Sequence, residues 1–242
     1  MVLPTFNEAE NIEEVLRRLR TAVPGCSVLV VDDGSPDGTA EIAEKLDREV
    51  GPIAVLRRPS KSGLGSAYRA GFRRGIDDGF EVLVEMDSDL SHDPAALPGM
   101  LATLERTEAG LVVGSRYIPG GAIPAWKLHR RLLSEWGNRY AAVVLGLKVR
   151  DATSGFRAYR ADVVQRLDLD RIRADGYGFQ IEMAYAIRNL GERVVEHPIS
   201  FTDRLRGKSK MSSNIVVEAL ALVTWWGVRD RVLVPLRRLV RR

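Results

Sequence analysis

The first half of the chain alternates short β-branched runs with segments whose apolar residues recur every three or four positions. The β-branched runs predict buried strands at 28–31, 53–56, 82–86 and 111–113, after a first short strand that ends before Pro4. The first helical pattern consists of Ile12, Val15, Leu16 and Leu19. Such alternation is typical of βαβ units, so we predict an α/β fold with a mostly parallel central sheet flanked by helices.

The second half follows a less regular pattern. It predicts helices near 127–145 and 179–189, a strand at 193–200 and a basic loop at 203–210. There is no repeat and no low-complexity linker. We therefore predict a single domain over residues 1–211, followed by a C-terminal helical segment over 212–242 that is not a domain of its own.

The net charge of +4 is small, but arginine is concentrated in the C-terminal tail. Apolar residues recur there between the arginines, which predicts a basic amphipathic segment lying on an anionic membrane surface. The best apolar run, 219–228, is shorter than the roughly 18 residues of a spanning helix. With no signal-peptide pattern and a single Cys26, we expect a protein bound peripherally to the inner, cytoplasmic face of a membrane. Aromatic residues are not interleaved with the basic tail, so we expect no nucleic-acid partner, and the sequence identifies no membrane-protein partner.

Acidic residues follow two of the predicted strands, Asp33 after the second and Asp87 and Asp89 after the fourth. Ligands of open α/β sheets bind outside the carboxyl ends of the strands. Two carboxylates separated by one residue can share a hard divalent cation, Mg²⁺ or Mn²⁺, that bridges to substrate phosphates. In isolation such a triplet is commonly a solvated loop, but its place after a buried strand favours a metal site. Asp33 could accept from a nucleobase or ribose, and so could Glu8.

An ordered series of motifs extends over most of the chain, to about residue 226. Its members are LPTFNE (3–8), VDDGSPDGT (31–39), GLG (63–65), MDSDLSH (86–92), GSRY (114–117), SGFRAY (154–159), GYGFQIE (176–182), and DR with SK between 203 and 210. The series resembles the family 2 glycosyltransferases of GT-A, Rossmann-like fold, and within them the polyprenol- and dolichol-phosphate mannosyltransferases. Phe6 stands where many relatives have Tyr, and Ser88 where Ala is commoner.

The resemblance implies that mannose is transferred from GDP-mannose to a polyprenyl phosphate. It implies catalytic roles for Asp87, Asp89, Arg116, Arg204 and Lys210, with the metal on Asp87 and Asp89. The nucleotide would be bound by Pro4, Phe6, Glu8, Val31, Asp33, Asp87, Ser88, Asp89, Arg204 and Lys210. The acceptor phosphate would be bound by Arg116, Arg130 and Ser134. Positions i and i+4 share one helical face, so Arg130 and Ser134 could reach the same anion, although a solvated arginine is an equal alternative.

The nucleophile would be a phosphate oxygen that is already ionised at neutral pH, so no general base is expected and direct attack predicts inversion. Asp151 and Glu182 are candidates for orienting the sugar or a loop, with a structural role as the alternative. Transfer of glucose or an aminosugar from a UDP donor, to a lipid phosphate or a glycan, stays open because Asp33 could accept from guanine or uracil. A sugar nucleotidyltransferase would have a Gly-rich, Arg-containing first loop, and a noncatalytic membrane module would leave the acidic strand ends unused.

Overall fold

A computed structural model describes residues 1–204 and 213–230. Its strands are β1 (Val2–Thr5), β2 (Val28–Asp32), β3 (Ile53–Arg57), β4 (Val82–Glu85), β5 (Leu111–Ser115), β6 (Arg157–Arg160) and β7 (Val194–Pro198). Its helices are α1 (Ile12–Ala22), α2 (Thr39–Val50), α3 (Leu64–Asp77), α4 (Leu97–Thr107), α5 (Leu128–Leu145), α6 (Ala161–Gln165), α7 (Gly176–Asn189) and α8 (Ser213–Val228), with a 3₁₀ turn at Pro94–Ala96.

The strands form one sheet in the order β3-β2-β1-β4-β6-β5-β7. The first four are parallel, β6 runs antiparallel to both β4 and β5, and β7 is parallel to β5. The predicted mostly parallel α/β architecture is confirmed. The antiparallel β6 was not predicted, because its residues lie in a segment rich in small and polar side chains.

Successive side chains of a strand point to opposite faces of the sheet, and both faces are buried here. Val2 and Val31 contact the core under α3, α5, α6, α7 and α8, whereas Leu3 and Val30 contact the core under α1, α2 and α4. Helices on both faces therefore leave the strand ends as the place where a ligand can approach.

The first strand does not end before Pro4 as predicted but continues to Thr5. Pro4 pairs with Val31 on the β2 side, while the ladder with β4 is limited to the pair of Val2 and Glu85. Proline has no N–H to donate. It is tolerated at this position because β4, the strand on that side, no longer pairs with β1 beyond Val2.

Helix α8 packs on α5 and α7, where the Tyr185 and Trp226 rings stack with centroids 6.5 Å apart. The predicted amphipathic tail after residue 230 and the basic loop after Arg204 lie outside the described residues. The division at residue 211 therefore stays a prediction.

Candidate active site

A cavity of about 350 Å³ opens at the carboxyl ends of β1, β2 and β4. These strands are neighbours in the sheet, so the acidic residues after β2 and β4 are separated by one strand only. The cavity is lined by Pro4, Thr5, Phe6, Glu8, Asp33, Lys61, Gly63, Leu64, Ala67, Asp87, Ser88, Asp89, Thr153, Gly155, Asp175, Gly176, Tyr177, Gln180 and Arg204. The structure thus brings both predicted groups of acidic residues into one site.

At one end of the cavity, Asp33 is a partnered carboxylate. It lies 3.0 Å from the Arg58 guanidinium and accepts a hydrogen bond from the Ser62 amide at 3.2 Å. Burial raises the pKa of Asp33, and the Ser62 and Arg58 contacts oppose that shift. The Lys61 ammonium lies 4.9 Å above the Phe6 ring nearby. A nearly neutral pocket with an aromatic wall suits a nucleobase and ribose.

Glu8 lies between this end and the metal-binding candidates. Its Oε2 accepts from Asn11 at 2.8 Å, and its backbone N–H donates to the Thr39 hydroxyl at 3.0 Å. The bond to Thr39 joins the loop after β1 to the start of α2, and the bond from Asn11 holds the carboxylate locally. Glu8 is therefore fixed in the wall, with its other oxygen 4.0 Å from Arg204.

At the other end, Asp87 and Asp89 follow β4. Burial is the main cause that raises the pKa of Asp87 to about 7, and the negative charge of Asp89 is the next. The side chain of Asp87 is 33% exposed and accepts from the Tyr68 hydroxyl at 3.3 Å. Asp89 accepts from the Ser91 amide at 3.0 Å. The two carboxylates repel each other, and a divalent cation between them would relieve that repulsion.

The donor set fits a hard cation such as Mg²⁺, which is commonly bound by one or two carboxylates together with water and substrate phosphates. Within residues 1–204 and 213–230 no three His, Cys, Asp or Glu side chains form a group that could hold a metal. The remaining ligands would therefore come from solvent and substrate. Ser88, between the two acids, donates its hydroxyl hydrogen bond to the Pro4 carbonyl at 2.8 Å and so ties this turn to β1.

Arg204 reaches into the cavity from the far side. Its Nε lies 2.7 Å from Asp89 Oδ2. The guanidinium thereby neutralises part of the acidic cluster. Lys210, the other predicted phosphate ligand in this region, lies outside the described residues.

Val31 does not line the cavity. It is fully buried in the core on the α3 side, since the alternation along β2 points its side chain away from the site. The contribution of Val31 to nucleotide binding that the resemblance implies therefore stays a prediction; Asp32 ends the strand and Asp33 follows it.

Arg116 lies behind the cavity wall rather than in it. Its side chain is 4% exposed and forms a bidentate ion pair with Asp151, both bonds being 2.7 Å. It also donates to Thr153, which lines the cavity. Asp151 thus anchors Arg116, and the predicted contact of Arg116 with the acceptor phosphate stays a prediction. Glu182 accepts from the amides of Arg173 and Ala174 and so holds the loop before α7.

Arg130 and Ser134 lie one turn apart on α5, outside the cavity lining. Arg130 bonds Asp203 at 2.9 Å and lies over the Trp126 ring at 4.0 Å. The Ser134 hydroxyl accepts from Tyr117 at 2.8 Å. Arg130 is half-exposed, so its guanidinium can also meet an anion from outside.

Several cavity residues were not predicted, among them Lys61, Asp175, Tyr177 and Gln180. The signals were the GLG and GYGFQIE motifs, whose tertiary relation the sequence does not reveal. The Asp175 carboxylate accepts from the Gly65 amide at 2.8 Å, and a Cβ at Gly63 would collide with it. Gly63 also has a φ of +91°. Glycine is therefore needed where α3 and α7 both begin at the cavity.

Comparisons with known proteins identify the family of the chain. Residues 1–168 match the model of glycosyl transferase family 2. The chain is 50% identical over 230 residues to the undecaprenyl-phosphate mannosyltransferase of Micrococcus luteus, covering 95% of this chain and 94% of that protein. It is 44% identical over 233 residues to the polyprenol monophosphomannose synthase of Mycolicibacterium smegmatis, covering 96% and 88%.

Among solved structures, the chain resembles the glucosyl-3-phosphoglycerate synthase of Mycobacterium tuberculosis in complex with Mn²⁺, UDP-glucose and phosphoglyceric acid. The TM-score is 0.69 at 20% sequence identity, covering 93% of this chain and 78% of that one. This likeness concerns the fold. The chain belongs to glycosyl transferase family 2. It is thus a glycosyltransferase, and the resemblance predicted from its motifs is confirmed.

Proposed function

We propose that the enzyme transfers mannose from GDP-mannose to a polyprenyl phosphate of the dolichyl type, with Mg²⁺ or Mn²⁺, and inverts the anomeric centre. The main support is a single cavity that holds two kinds of acidic group. The charge of Asp33 is neutralised by Arg58, whereas the charges of Asp87 and Asp89 are only partly neutralised, by Arg204. A nucleoside diphosphate sugar has matching parts, a polar base and a doubly charged diphosphate. The relatives named as mannosyltransferases supply the identity of the sugar and of the lipid.

The metal site supports this proposal through its charge. Asp87 and Asp89 would hold the cation, which when bound would neutralise the diphosphate leaving group. Arg204 is adjacent to Asp89 and would add a second positive charge to the same phosphates. Lys210 is proposed to act with it, as the motif series implies. The Mn²⁺ in the complex of the distant fold neighbour is in keeping with a divalent cation.

The acceptor is proposed to approach along α5. Arg130 is on this helix, one turn before Leu133, which is 62% exposed. Further exposed apolar side chains lie on a different face of the helix. These are Leu128 (70% exposed), Leu132 (54%) and Trp136 (56%), spaced i, i+4 and i+8 on one face. A lipid phosphate has this combination of an anionic head and apolar tail. When Arg130 binds the acceptor phosphate, the exposed apolar side chains of α5 would lie against the polyprenyl chain or against the bilayer.

In the reaction, an acceptor phosphate oxygen would attack the anomeric carbon as the nucleoside diphosphate leaves. The phosphate monoester is mostly ionised at neutral pH, with a second pKa near ~6, so the protein need not remove a proton. Its own groups would orient the two substrates and stabilise the leaving charge. Attack opposite the leaving group inverts the centre.

Incubation of the purified enzyme with labelled sugar nucleotides and a polyprenyl phosphate tests the proposal. Labelled lipid is expected from GDP-mannose with Mn²⁺ or Mg²⁺, and not with a chelator. Transfer from UDP-glucose or a UDP-aminosugar, with none from GDP-mannose, would overturn the proposed donor. Full activity in the presence of a chelator would overturn the proposed metal dependence. Retained anomeric configuration in the extracted lipid would contradict direct displacement.

Among the described residues, no helix combines the length and the apolar character that crossing a bilayer requires. We propose peripheral binding to the anionic inner face of the membrane through α5 and the C-terminal segment. Leu132→Glu should weaken binding to vesicles of anionic phospholipid by about tenfold. The change removes apolar area that would be buried in the membrane and adds a negative charge that the anionic lipids repel. Leu190→Glu, a similar change at an exposed leucine after α7, is the control. Equal sedimentation of both variants with vesicles would contradict the role of α5.

A further inference from the structure

Gln180 lines the cavity and is 2% exposed, and neither Nε2 nor Oε1 of its carboxamide forms a hydrogen bond of normal geometry within the described residues. The polar group beside the carboxamide is the buried carboxyl of Glu85, whose oxygens also lack such a bond. An unpaired buried polar group costs roughly 1–3 kcal/mol, and buried polar groups in native proteins are nearly always paired. A ligand that enters the cavity can supply the missing partners.

The backbone at Gln180 is held firmly. The Arg157 side chain is fully buried, and its Nη1 donates to the Gln180 carbonyl at 2.6 Å. Its other nitrogens donate to the carbonyls of Ser154 at 2.8 Å and Ala152 at 2.7 Å. One guanidinium thus joins the first turns of α7 to the 152–154 segment, which also borders the cavity. The unpaired amide belongs to a rigid wall.

Gln180 lies at the Asp87 end of the cavity, away from Asp33. The preceding residue, Phe179, stacks on Tyr68 with ring centroids 5.7 Å apart, and the Tyr68 hydroxyl bonds Asp87. Gly155, also in the wall, is close enough to Asp87 that an added Cβ would lie 3.1 Å from its Oδ2. When the base is at Asp33 and the phosphates are at Asp87, the remaining part of the donor is the sugar.

We propose that the Gln180 carboxamide binds a hydroxyl group of the transferred hexosyl unit and so contributes to the choice of sugar. This inference rests on the proposed function. A carboxamide both donates and accepts, and so does a hydroxyl. A phosphate oxygen only accepts and would leave Oε1 of Gln180 unpaired. A site that hydrogen-bonds a substrate hydroxyl discriminates strongly against analogues that lack it.

The test compares a ligand that carries the hexosyl unit with one that lacks it. In Gln180→Leu, which keeps the approximate size and removes the amide, the Kd of GDP-mannose with Mn²⁺ should rise about 10- to 100-fold. The Kd of GDP with Mn²⁺ should stay within about twofold, since GDP lacks the hexosyl unit that Gln180 is proposed to contact. Gln165→Leu makes the same change at the exposed end of α6 and should alter neither.

Deoxymannose analogues of the donor provide the second arm. The wild type should bind one of them more weakly than GDP-mannose, and Gln180→Leu should no longer distinguish that pair. If the leucine variant does not fold, Gln180→Met, which also removes the amide without adding charge, replaces it with the same ligands, and its affinity should change for GDP-mannose only.

Equal weakening of GDP and GDP-mannose would overturn the inference in favour of a phosphate contact. Unchanged binding of both would also overturn it. A lower melting temperature with unchanged binding would instead indicate a structural role beside the buried Glu85. If the wild type binds no GDP-mannose but transfers another sugar, the proposed donor is wrong. The inference about Gln180 is then judged with that donor and its nucleoside diphosphate.

Discussion

The two acidic strand ends that meet in the cavity differ in how their charge is neutralised. After β2, the Asp32 carboxylate accepts from the Thr5 and Ser35 hydroxyls at 2.8 and 2.6 Å. Its neighbour Asp33 is paired with Arg58. The protein itself therefore supplies the partners of this pair, and the site there can bind a neutral polar group.

After β4, the carboxylates have fewer partners among the described residues. Asp89 is paired with Arg204, while Asp87 accepts from a tyrosine hydroxyl and lies 3.9 Å from His92. Burial lowers the pKa of His92 to about 4, so the imidazole is neutral and does not offset the acids. Acids at equivalent positions thus differ because their neighbours differ: the first pair is satisfied by hydrogen bonds and an arginine, whereas we propose that the second pair attracts a divalent cation.

The sharpest test of this difference removes one acid of the second pair. Asp89→Asn should lower kcat at least 100- to 1000-fold, since it weakens the metal and diphosphate contacts together. Mannosyl transfer to polyprenyl phosphate measures the effect. Asp162→Asn, at an exposed aspartate of α6, is the control and should retain activity. A loss under tenfold in Asp89→Asn would contradict a metal site at this strand end.

A smaller effect is expected at the first pair. Arg58→Ala should raise the Kd of GDP about tenfold, because Asp33 then stays buried without its counter-charge. The turnover number should change less than twofold. The adjacent Arg57 pairs instead with Glu41 and Glu44 on the surface, so Arg57→Ala is a matched control. Equal Kd values for the two variants would mean that the Arg58 pair does not support nucleotide binding.

The smallest effect concerns stability and pH. The pKa of Asp87 is about 7 in the folded protein and near ~3.9 in the unfolded chain. Between these values the folded state holds a proton that the unfolded state has released. The free energy of unfolding should therefore fall as pH rises from about 4 to 7. Because a third of the side chain is exposed, we expect a contribution of about 1–2 kcal/mol.

Urea denaturation in chelator at pH 5 and pH 7 measures this effect. Asp87→Asn should lose less stability over that range than the wild type, and the difference isolates the group from other titrations. Mn²⁺ at pH 7 should stabilise the wild type but not the variant. Identical pH dependence of the two proteins would show that Asp87 is not the titrating group.

The local sequence was sufficient for the strands β2 to β5 and for the acids that follow β2 and β4. Apolar runs predicted β2 to β5, and the position of Asp33, Asp87 and Asp89 after them predicted a ligand site, because parallel strands end at one edge of a sheet. The local sequence did not predict which arginine side chains pair with these acids. Arg58 and Arg204 are distant from their partners in the chain, and nothing in their neighbourhood indicates which acid each will meet.

What the sequence determined by itself is the class of fold and the chemistry available, since both follow from periodicity and from residue type at strand ends. Tertiary structure alone decided which residues line the cavity. Val31 is buried in the core, and Arg116 is buried in an ion pair with Asp151. Gln180, which belongs to a helical motif with no evident chemistry, lines the cavity. The reason is that side-chain direction and burial depend on contacts between segments far apart in the chain, and only the packed sheet and helices bring those segments together.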